Sequence, residues 1–376
     1  MFNAQSNNIW HLPATGKQAK HPTQTVFELA SSFKLEDLHF KYDSTTGLKA
    51  IVAIHSTQRG PALGGTRCMS YATENEAIVD AIQLARDMSY KSAFAKLPYG
   101  GGKSVLMRPH HLQNSAAYFE SYGEFLNTLN GRFITAVDVG TRIEDMDIIA
   151  RKSNFVMSTS TGNGDPSHDT AKGVLYGIKA ATKMRLKRKD LEGIRVAIQG
   201  VGKVGFYLAK LLHQEGAKLI ISDLNLKAAQ HCAQCFAADL VSPEQIYSVD
   251  CDVFSPCALG GSLNKITVNL LNAGIICGSA NNQLSSISIA DILQKKQIFL
   301  APDFVVNAGG LIHVVIESKK EVQSRISKIY DAVFDIFQRS EESNQPSYRI
   351  ARKIAEQILL YPPTERDHSV YIRSIK

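Results

Sequence analysis

The sequence predicts an α/β protein of two domains, the second of them a doubly wound parallel sheet. Three observations carry that prediction. The chain has 376 residues, more than one ordinary core absorbs. Its second half alternates short apolar runs with helix-compatible stretches. Directly after one of those runs, Gly200, Gly202 and Gly205 form a G-x-G-x-x-G.

Composition narrows the class before any element is placed. With 44% hydrophobic and 20% charged residues the chain reads as soluble and globular. No run approaches the roughly 18 apolar residues of a membrane span. Residues 1–24, with His11, Lys17, Lys20 and His21, lack an apolar signal core and read as a flexible extension. Among six cysteines, Cys232 and Cys235 form one Cys-x-x-Cys without a second pair, inside an alanine-rich helical stretch. Free thiols in a reducing cytoplasm are therefore expected, and no metal site. The net charge of +7 is dispersed, and its dense cluster, Lys183 to Lys189, reads as a solvated helix end. Nucleic-acid binding is not expected.

The elements follow in order. Gly47–Ser56 is a β-rich run, and Arg59–Arg67 reads as a Pro/Gly turn segment. Thr73 and Glu76 have capping-box spacing and open a helix with Ile78, Ala81, Ile82, Ala85 and Met88 on one face. Pro98–Met107 reads as a glycine loop entering a strand, and Arg132–Thr141 as a strand followed by a turn. The Gly/Asp/Pro-rich stretch Ser158–Ser167 marks a domain boundary, and a helix runs from Thr170 to about Arg185. Short strands follow at Ile194–Gln199, Lys218–Asp223, Cys251–Ala258, Gly274–Ala280 and Ile298–Pro302. From about Leu311 the chain reads as helical and strongly charged.

The glycine motif has the context that gives it meaning. It joins the strand ending at Gln199 to a helix-compatible stretch, and a second strand ends in Asp223. The loop Gly200, Val201, Gly202, Lys203, Val204 and Gly205 would cradle a pyrophosphate on uncapped N–H groups at a helix start. Asp223, 23 residues after Gly200, stands where an acid accepts a hydrogen bond from the ribose 2′-OH. A carboxylate there repels a 2′-phosphate, so the expected cofactor is NAD and not NADP.

The first half supplies candidate chemistry. Lys91 in "MSYKSA" and Lys103 in "YGGGKSV" have apolar or glycine-rich neighbours, though neither lysine alone is diagnostic. Asp138 lies inside the apolar "FITAVDVGT", where a carboxylate needs a partner or a task.

From about Phe27 to Gly310 the sequence resembles the glutamate/leucine/phenylalanine/valine dehydrogenase family, most closely its leucine dehydrogenase branch. The resemblance rests on "GPALGGTR", "MSYKSA", "PYGGGKSV", "FITAVDVGT", "TAKGV", "VAIQGVGKVG", "CDVFSPCALGG", "GSANNQL" and "APDFVVNAGG", in the family's order. It implies oxidative deamination of an L-amino acid to a 2-oxo acid and ammonia, with a catalytic cleft between the two domains. It implies that Lys91 pairs with the substrate α-carboxylate. Lys103 would activate the water that attacks the iminium carbon, and Asp138 would move protons to and from the substrate nitrogen. Gly64 and Gly65 would line the substrate. Thr170 and Asn282 match positions beside the nicotinamide, and Asn307 lies in a loop lining the same cleft. For Lys103 to act as a base its pKa must fall from the ordinary value near roughly 10.4, which burial and the nearby charge of Lys91 would promote.

Leu63 stands where glutamate dehydrogenases of the family carry a lysine, so the resemblance implies a hydrophobic substrate. Leu63, Ala136, Leu311 and Val314 match the apolar side-chain pocket of the leucine branch, which favours a branched-chain amino acid such as leucine or valine. An aromatic substrate, phenylalanine or tryptophan, is the alternative, and a non-catalytic NAD-binding homologue is the alternative of a different class. His168 and Asp169 depart from the branch, as does "IAD" at Ile289–Asp291 where "HGD" is usual. The resemblance further implies a homo-oligomer, octamer or dimer. Its domains would be 25–160 for substrate and 161–329 for NAD, with helices from residue 330 packing back on the first.

Overall fold

The computed structural model describes residues 25–109, 111–112 and 114–361. The expectations for residues 1–24 and for the tail beyond 361 lie outside the described residues. The chain divides into two compact units: residues 25–166, 310–325 and 352–361 form one, and 167–309 with 326–351 the other.

The first unit is built on a five-stranded mixed sheet. Its elements are α1 (Val26–Phe33), β1 (Asp37–Asp43), β2 (Leu48–Ser56), β3 (Ala62–Met69), α2 (Glu74–Phe94), β4 (Gly100–Met107), α3 (Ser115–Thr128), β5 (Phe133–Val137) and α4 (Ile143–Ala150). The strand order is β1-β2-β4-β3-β5, with β3 parallel to both β4 and β5. One face packs Ile51, Ala53 and Val105 against Ala77, Ala81 and Ala85 of α2. The other packs Val52, Leu106 and Phe133 against Tyr118, Tyr122 and Met146 of α3 and α4.

Two local expectations change. Arg59–Arg67 is a turn only at its start, and from Ala62 it is the inner strand β3, between β4 and β5. The glycines of 100–102 are not a loop before a strand but part of β4. A side chain there would collide with what packs on the sheet: a Cβ at Gly101 would stand 2.0 Å from the Ser89 nitrogen of α2, and one at Gly102 would stand 2.7 Å from the Phe133 ring. Thr73 does cap α2, accepting from the Glu76 N–H at 3.2 Å. The Glu76 carboxylate reaches back to Ala72 instead of closing the box on Thr73.

The second unit contains α5 (Ser167–Leu186), β6 (Arg195–Gln199), α6 (Lys203–Gln214), β7 (Lys218–Ser222), α7 (Leu226–Phe236), β8 (Asp239–Leu240), β9 (Val253–Pro256), α8 (Thr267–Leu270), β10 (Ile275–Ile276), α9 (Ser288–Lys295), β11 (Phe299–Leu300) and α10 (Asp303–Val306). Every strand pair is parallel, and the order is β8-β7-β6-β9-β10-β11. Counted from β6, that is 3-2-1-4-5-6, the dinucleotide-binding order, whose direction reverses between β6 and β9.

Of the remaining helices, α11 (Gly309–Val315) and α12 (Lys319–Ser327) group with the first unit over residues 310–325. The reading that sent everything from residue 330 to the first domain is corrected by α13 (Ile329–Ser343), which belongs to the second unit. It buries Val333, Ile336 and Phe337 while packing on α5 and α10, and Phe337 stacks on Phe299 of β11 with centroids 4.8 Å apart. The last helix, α14 (Ser347–Leu359), groups with the second unit to residue 351 and with the first from 352. All six cysteines are free, Cys232 buried and Cys235 exposed on α7. Among the described residues no helix is long and apolar enough to cross a membrane, and no cluster of acidic, His and Cys side chains could hold a metal ion.

Candidate active site

The chemistry of the first unit gathers on one face of its sheet. The register pairs Leu63 with Gly101 and Ile134, and Gly65 with Ala136. Paired residues face the same way and alternate residues share a face. That face therefore carries Leu63, Gly65 and Arg67 of β3, Gly101 and Lys103 of β4, and Ala136 of β5 with Asp138 just beyond it. Lys103 and Asp138 flank β3 on either side, two strand spacings or about 10 Å apart in backbone. Their side chains meet across it: Lys103 Nζ donates to Asp138 Oδ2 at 2.6 Å.

Gly65 makes that crossing possible. A Cβ there would stand 2.7 Å from the Asp138 Cβ, so the strand between acid and lysine must be bare. A Cβ at Gly64 would stand 1.8 Å from the Gly102 carbonyl oxygen. Both glycines thus serve the protein's own packing, whereas the sequence reading gave them only an approach to substrate. A tight turn fixes the acid: the Asp138 N–H donates to Thr141 Oγ1 at 3.0 Å, and Thr141 Oγ1 lies 3.0 Å from the Thr66 carbonyl it donates to.

A third charged group completes the cluster. Arg67 donates from Nε to Asp138 Oδ2 at 3.2 Å and from Nη1 to both oxygens of Asp80 on α2, at 3.1 and 2.9 Å. Tyr71 Oη donates to Asp80 Oδ2 at 2.6 Å. Burial alone would raise the Asp138 pKa, but Lys103 and Arg67 outweigh it and bring it down to about 2. Lys103 is pushed below the usual lysine range, first by burial and then by Arg67, against the pull of Asp138. The like charge acting on Lys103 is Arg67, a role the sequence reading gave to Lys91. Arg67, Asp80 and Thr141 were all missed. The signal existed: Arg67 is two residues beyond Gly65 and shares its face, but only once Arg59–Arg67 is read as a strand.

The other candidates of this unit are placed as follows. Lys91 is half-buried in the last turn of α2, the helix that covers the Lys103 face. Leu63 is 1% exposed at the middle of the sheet, and Ala136 is half-buried beside it. Leu311 and Val314 are half-buried on α11, whose end is tied to Asn163 Nδ2 through the His313 and Ile316 carbonyls at 2.7 and 3.1 Å.

The second unit has a cradle at its switch point. Gly200 turns with φ +95°, and a Cβ on it would stand 2.8 Å from the Ala258 Cβ after β9. Gly205 lies so close to Gly200 that a Cβ would stand 2.0 Å from the Gly200 carbonyl oxygen. Gly202 caps α6 without a side-chain hydrogen bond, and a Cβ on it would meet nothing within 4 Å. Its surroundings are thus open, and α6 starts at a glycine that offers no side-chain cap. Asp223 accepts from the Val201 N–H at 2.7 Å and the Asn225 N–H at 2.8 Å, so it also holds the glycine loop. Asn307, 4% exposed, donates to Asn281 Oδ1 and the Ser279 carbonyl, while its own Oδ1 is buried without a partner. An open helix start and an orphaned amide oxygen fit a dinucleotide with a carboxamide at one end. Thr170 is half-buried in the first turn of α5, and Asn282 is half-buried with φ +50°.

Residues 34–155 match the family described as "Glu/Leu/Phe/Val dehydrogenase, dimerisation domain". Residues 162–225 and 222–357 match "Glutamate/Leucine/Phenylalanine/Valine dehydrogenase". The chain belongs to the Glu/Leu/Phe/Val dehydrogenase family. It is therefore an amino-acid dehydrogenase, an oxidoreductase of the nicotinamide-dependent kind. It is 44% identical over 339 residues to a leucine dehydrogenase of Geobacillus stearothermophilus, covering 88% of this chain and 92% of that one. An L-tryptophan dehydrogenase of Nostoc punctiforme is 41% identical over 337 residues, covering 88% and 95%. A crystal structure of L-tryptophan dehydrogenase from that organism superposes with a TM-score of 0.76 at 38% identity, covering 89% of this chain and 98% of that one.

The departures from the leucine branch have local accounts. Ile289 is fully buried on the inner face of α9, and Asp291 pairs with Arg349 of α14 at 2.9 and 2.7 Å, so this acid serves helix docking. His168 meets the Tyr207 ring edge-on at 5.4 Å, and Asp169 is buried.

Proposed function

We propose that the chain catalyses the NAD-dependent, reversible oxidative deamination of a hydrophobic, branched-chain L-amino acid to its 2-oxo acid and ammonia, as a leucine dehydrogenase does. The observation that carries this reading is the buried Lys103–Asp138 pair at 2.6 Å. Bound NAD supplies the hydride acceptor. As hydride leaves Cα and the amine gives up a proton, the substrate becomes an iminium. Lys103, its basicity lowered by burial and Arg67, takes the proton of the water that attacks the iminium carbon. Asp138 receives and returns protons at the substrate nitrogen, and the carbinolamine collapses to 2-oxo acid and ammonia. Lys91 pairs with the α-carboxylate. Leu63, Ala136, Leu311 and Val314 receive the side chain, and an acidic substrate would leave a carboxylate unpaired beside Leu63. Asp223 favours NAD over NADP. The leucine dehydrogenase relatives support the branched-chain reading, while the tryptophan dehydrogenase relative makes aromatic substrates the competing class.

We further infer a cytoplasmic homo-oligomer, an octamer or dimer. Six free thiols support the compartment, and an exposed edge strand bearing Phe40 and Tyr42 supports self-association. The test follows NADH absorbance with NAD or NADP and a panel of the twenty common L-amino acids, on wild type and Lys103→Ala. Reduction of NAD with leucine, valine or isoleucine, abolished in Lys103→Ala while NAD still binds, is the expected result. Turnover of glutamate alone, or of aromatic amino acids alone, would overturn the branched-chain reading, and turnover with NADP alone would overturn the cofactor.

A further inference from the structure

We propose that Arg67 is a positioning residue: anchored on Asp80, it clamps one oxygen of Asp138 so that the other is presented to the substrate nitrogen. The inference rests on the role proposed above for Asp138. Both cations of the cluster converge on the same oxygen. Lys103 Nζ and Arg67 Nε donate to Asp138 Oδ2 at 2.6 and 3.2 Å. Among the described residues no hydrogen bond of the protein engages Asp138 Oδ1. A carboxylate held at one oxygen from two directions has its plane fixed, and the remaining oxygen has a defined aim.

The anchor is firmer than a lone surface pair. Arg67 and Asp80 expose only 16% and 21% of their side chains, and Tyr71 holds Asp80 from a second side. The anchor comes from α2 and the guanidinium from β3, whereas Asp138 follows β5, so Arg67 links three elements, and Lys103 of β4 reaches the same oxygen independently. The charges facing the pair are Lys103, Arg67, Asp138 and Asp80, which sum to zero. A neutral residue at 67 would therefore leave a net negative cluster and disfavour loss of protons from both Lys103 and Asp138. Because the two groups are in contact, the shift belongs to the pair and not to either residue.

Three variants separate charge from geometry. Arg67→Gln should lower kcat about 100-fold, as expected for a misplaced reacting group, and move both limbs of the kcat/KM profile up by about one pH unit. Arg67→Lys keeps the charge but not the fork, so its pH limbs should stay in place while kcat falls. Asp80→Asn should release the anchor and move the limbs the opposite way. NAD affinity, measured alongside, should be unchanged in all three and reports folding of the dinucleotide unit. The Asp138 carboxyl is also titrated directly, by carbon NMR of aspartate-labelled wild type and Arg67→Gln. If the wild type turns over no amino acid, the reaction reading fails, and the carboxyl titration still decides the role of Arg67. Wild-type kcat and an unmoved carboxyl titration in a folded Arg67→Gln would overturn the proposal.

Discussion

Asp223 is the residue whose replacement separates two roles that the sequence merges into one. It is half-buried at the end of β7, with Oδ2 accepting from Val201 N–H at 2.7 Å and Oδ1 from Asn225 N–H at 2.8 Å. Val201 lies between Gly200 and Gly202, so the carboxylate itself ties down the glycine loop. Asp223→Asn leaves a single acceptor oxygen and removes the charge. One N–H loses its charge-assisted bond, a loss of roughly 1.5–3 kcal/mol. If that loss appears in the loop's ability to hold the pyrophosphate, NAD affinity falls between about 10- and 150-fold. If it appears instead in folding, the melting temperature falls by about 2–4 °C for each kcal/mol. Calorimetric titration of wild type and Asp223→Asn with NAD and with NADP, beside thermal melts, apportions the two. The expected result is weaker NAD binding without a matching gain for NADP, because the loop itself has loosened. An Asp223→Asn protein that binds NAD as tightly as wild type, melts at the same temperature and gains NADP would refute the tether.

Two further perturbations follow from the first unit. Gly65→Ala puts a Cβ 2.7 Å from the Asp138 Cβ and 2.9 Å from the Val137 carbonyl. It should cost about 1–3 kcal/mol of stability and lower kcat about 100-fold with NAD affinity intact; turnover within threefold of wild type would sink the account of the crossing. His55 donates to or accepts from Ser89 Oγ at 2.8 Å, and burial, aided by Arg86, lowers its pKa from 6.5 to about 4. The unfolded chain therefore binds this proton first, so stability is present above pH 6.5 and is lost as the pH falls toward 4, by about 3 kcal/mol. Denaturant melts at pH 7.5 and 5 should show about 2 kcal/mol of that loss in wild type and a much flatter dependence in His55→Gln; equal slopes would remove His55 as its source.

What the sequence disclosed depended on how local the signal was. The parallel sheet of the second unit is legible in five of its six strands, which are short apolar runs around the glycine motif, whereas the exposed edge strand Asp239–Leu240 carries no such signal. The parts misread were those where distant contacts overrule local preference. Ala62–Met69 contains two glycines, yet it is an inner strand, and bulk at those positions would strike the Gly102 carbonyl and Asp138. Reading it as a turn hid the alternation that places Arg67 beside Asp138. The charged exposed face of α13 dominates its sequence, while its buried apolar residues Ile329, Val333, Ile336 and Phe337 decide where it packs. Strand β1 passed unnoticed, since its polar residues and exposed Phe40 and Tyr42 carry no burial pattern. Lys103 and Asp138 could be singled out individually, but their meeting across β3 needed the strand order.

The first unit concentrates cost on one face of its sheet and recovers it on the other. Four charged side chains, Arg67, Asp80, Lys103 and Asp138, are largely withdrawn from water, and buried ion pairs rarely match apolar packing for stability. Glycines inside strands add a penalty of roughly 0.5–1 kcal/mol each. A sheet built for stability alone would carry aliphatic side chains there. The opposite face carries an apolar core instead, with Tyr118, Tyr122, Phe133 and Met146 all fully buried, in addition to the smaller one that Ile51, Ala53 and Val105 form under α2. Thr66 links the two. It lies between Gly65 and Arg67 but points to the apolar side, where its hydroxyl meets Thr135 of β5 and, at 2.9 Å, Tyr122 of α3. Since β3 and β5 are joined at Thr66 beneath the site, neither can slip without moving Gly65 from under Asp138. The register that the apolar core enforces is thus the same register that sets the acid against the lysine.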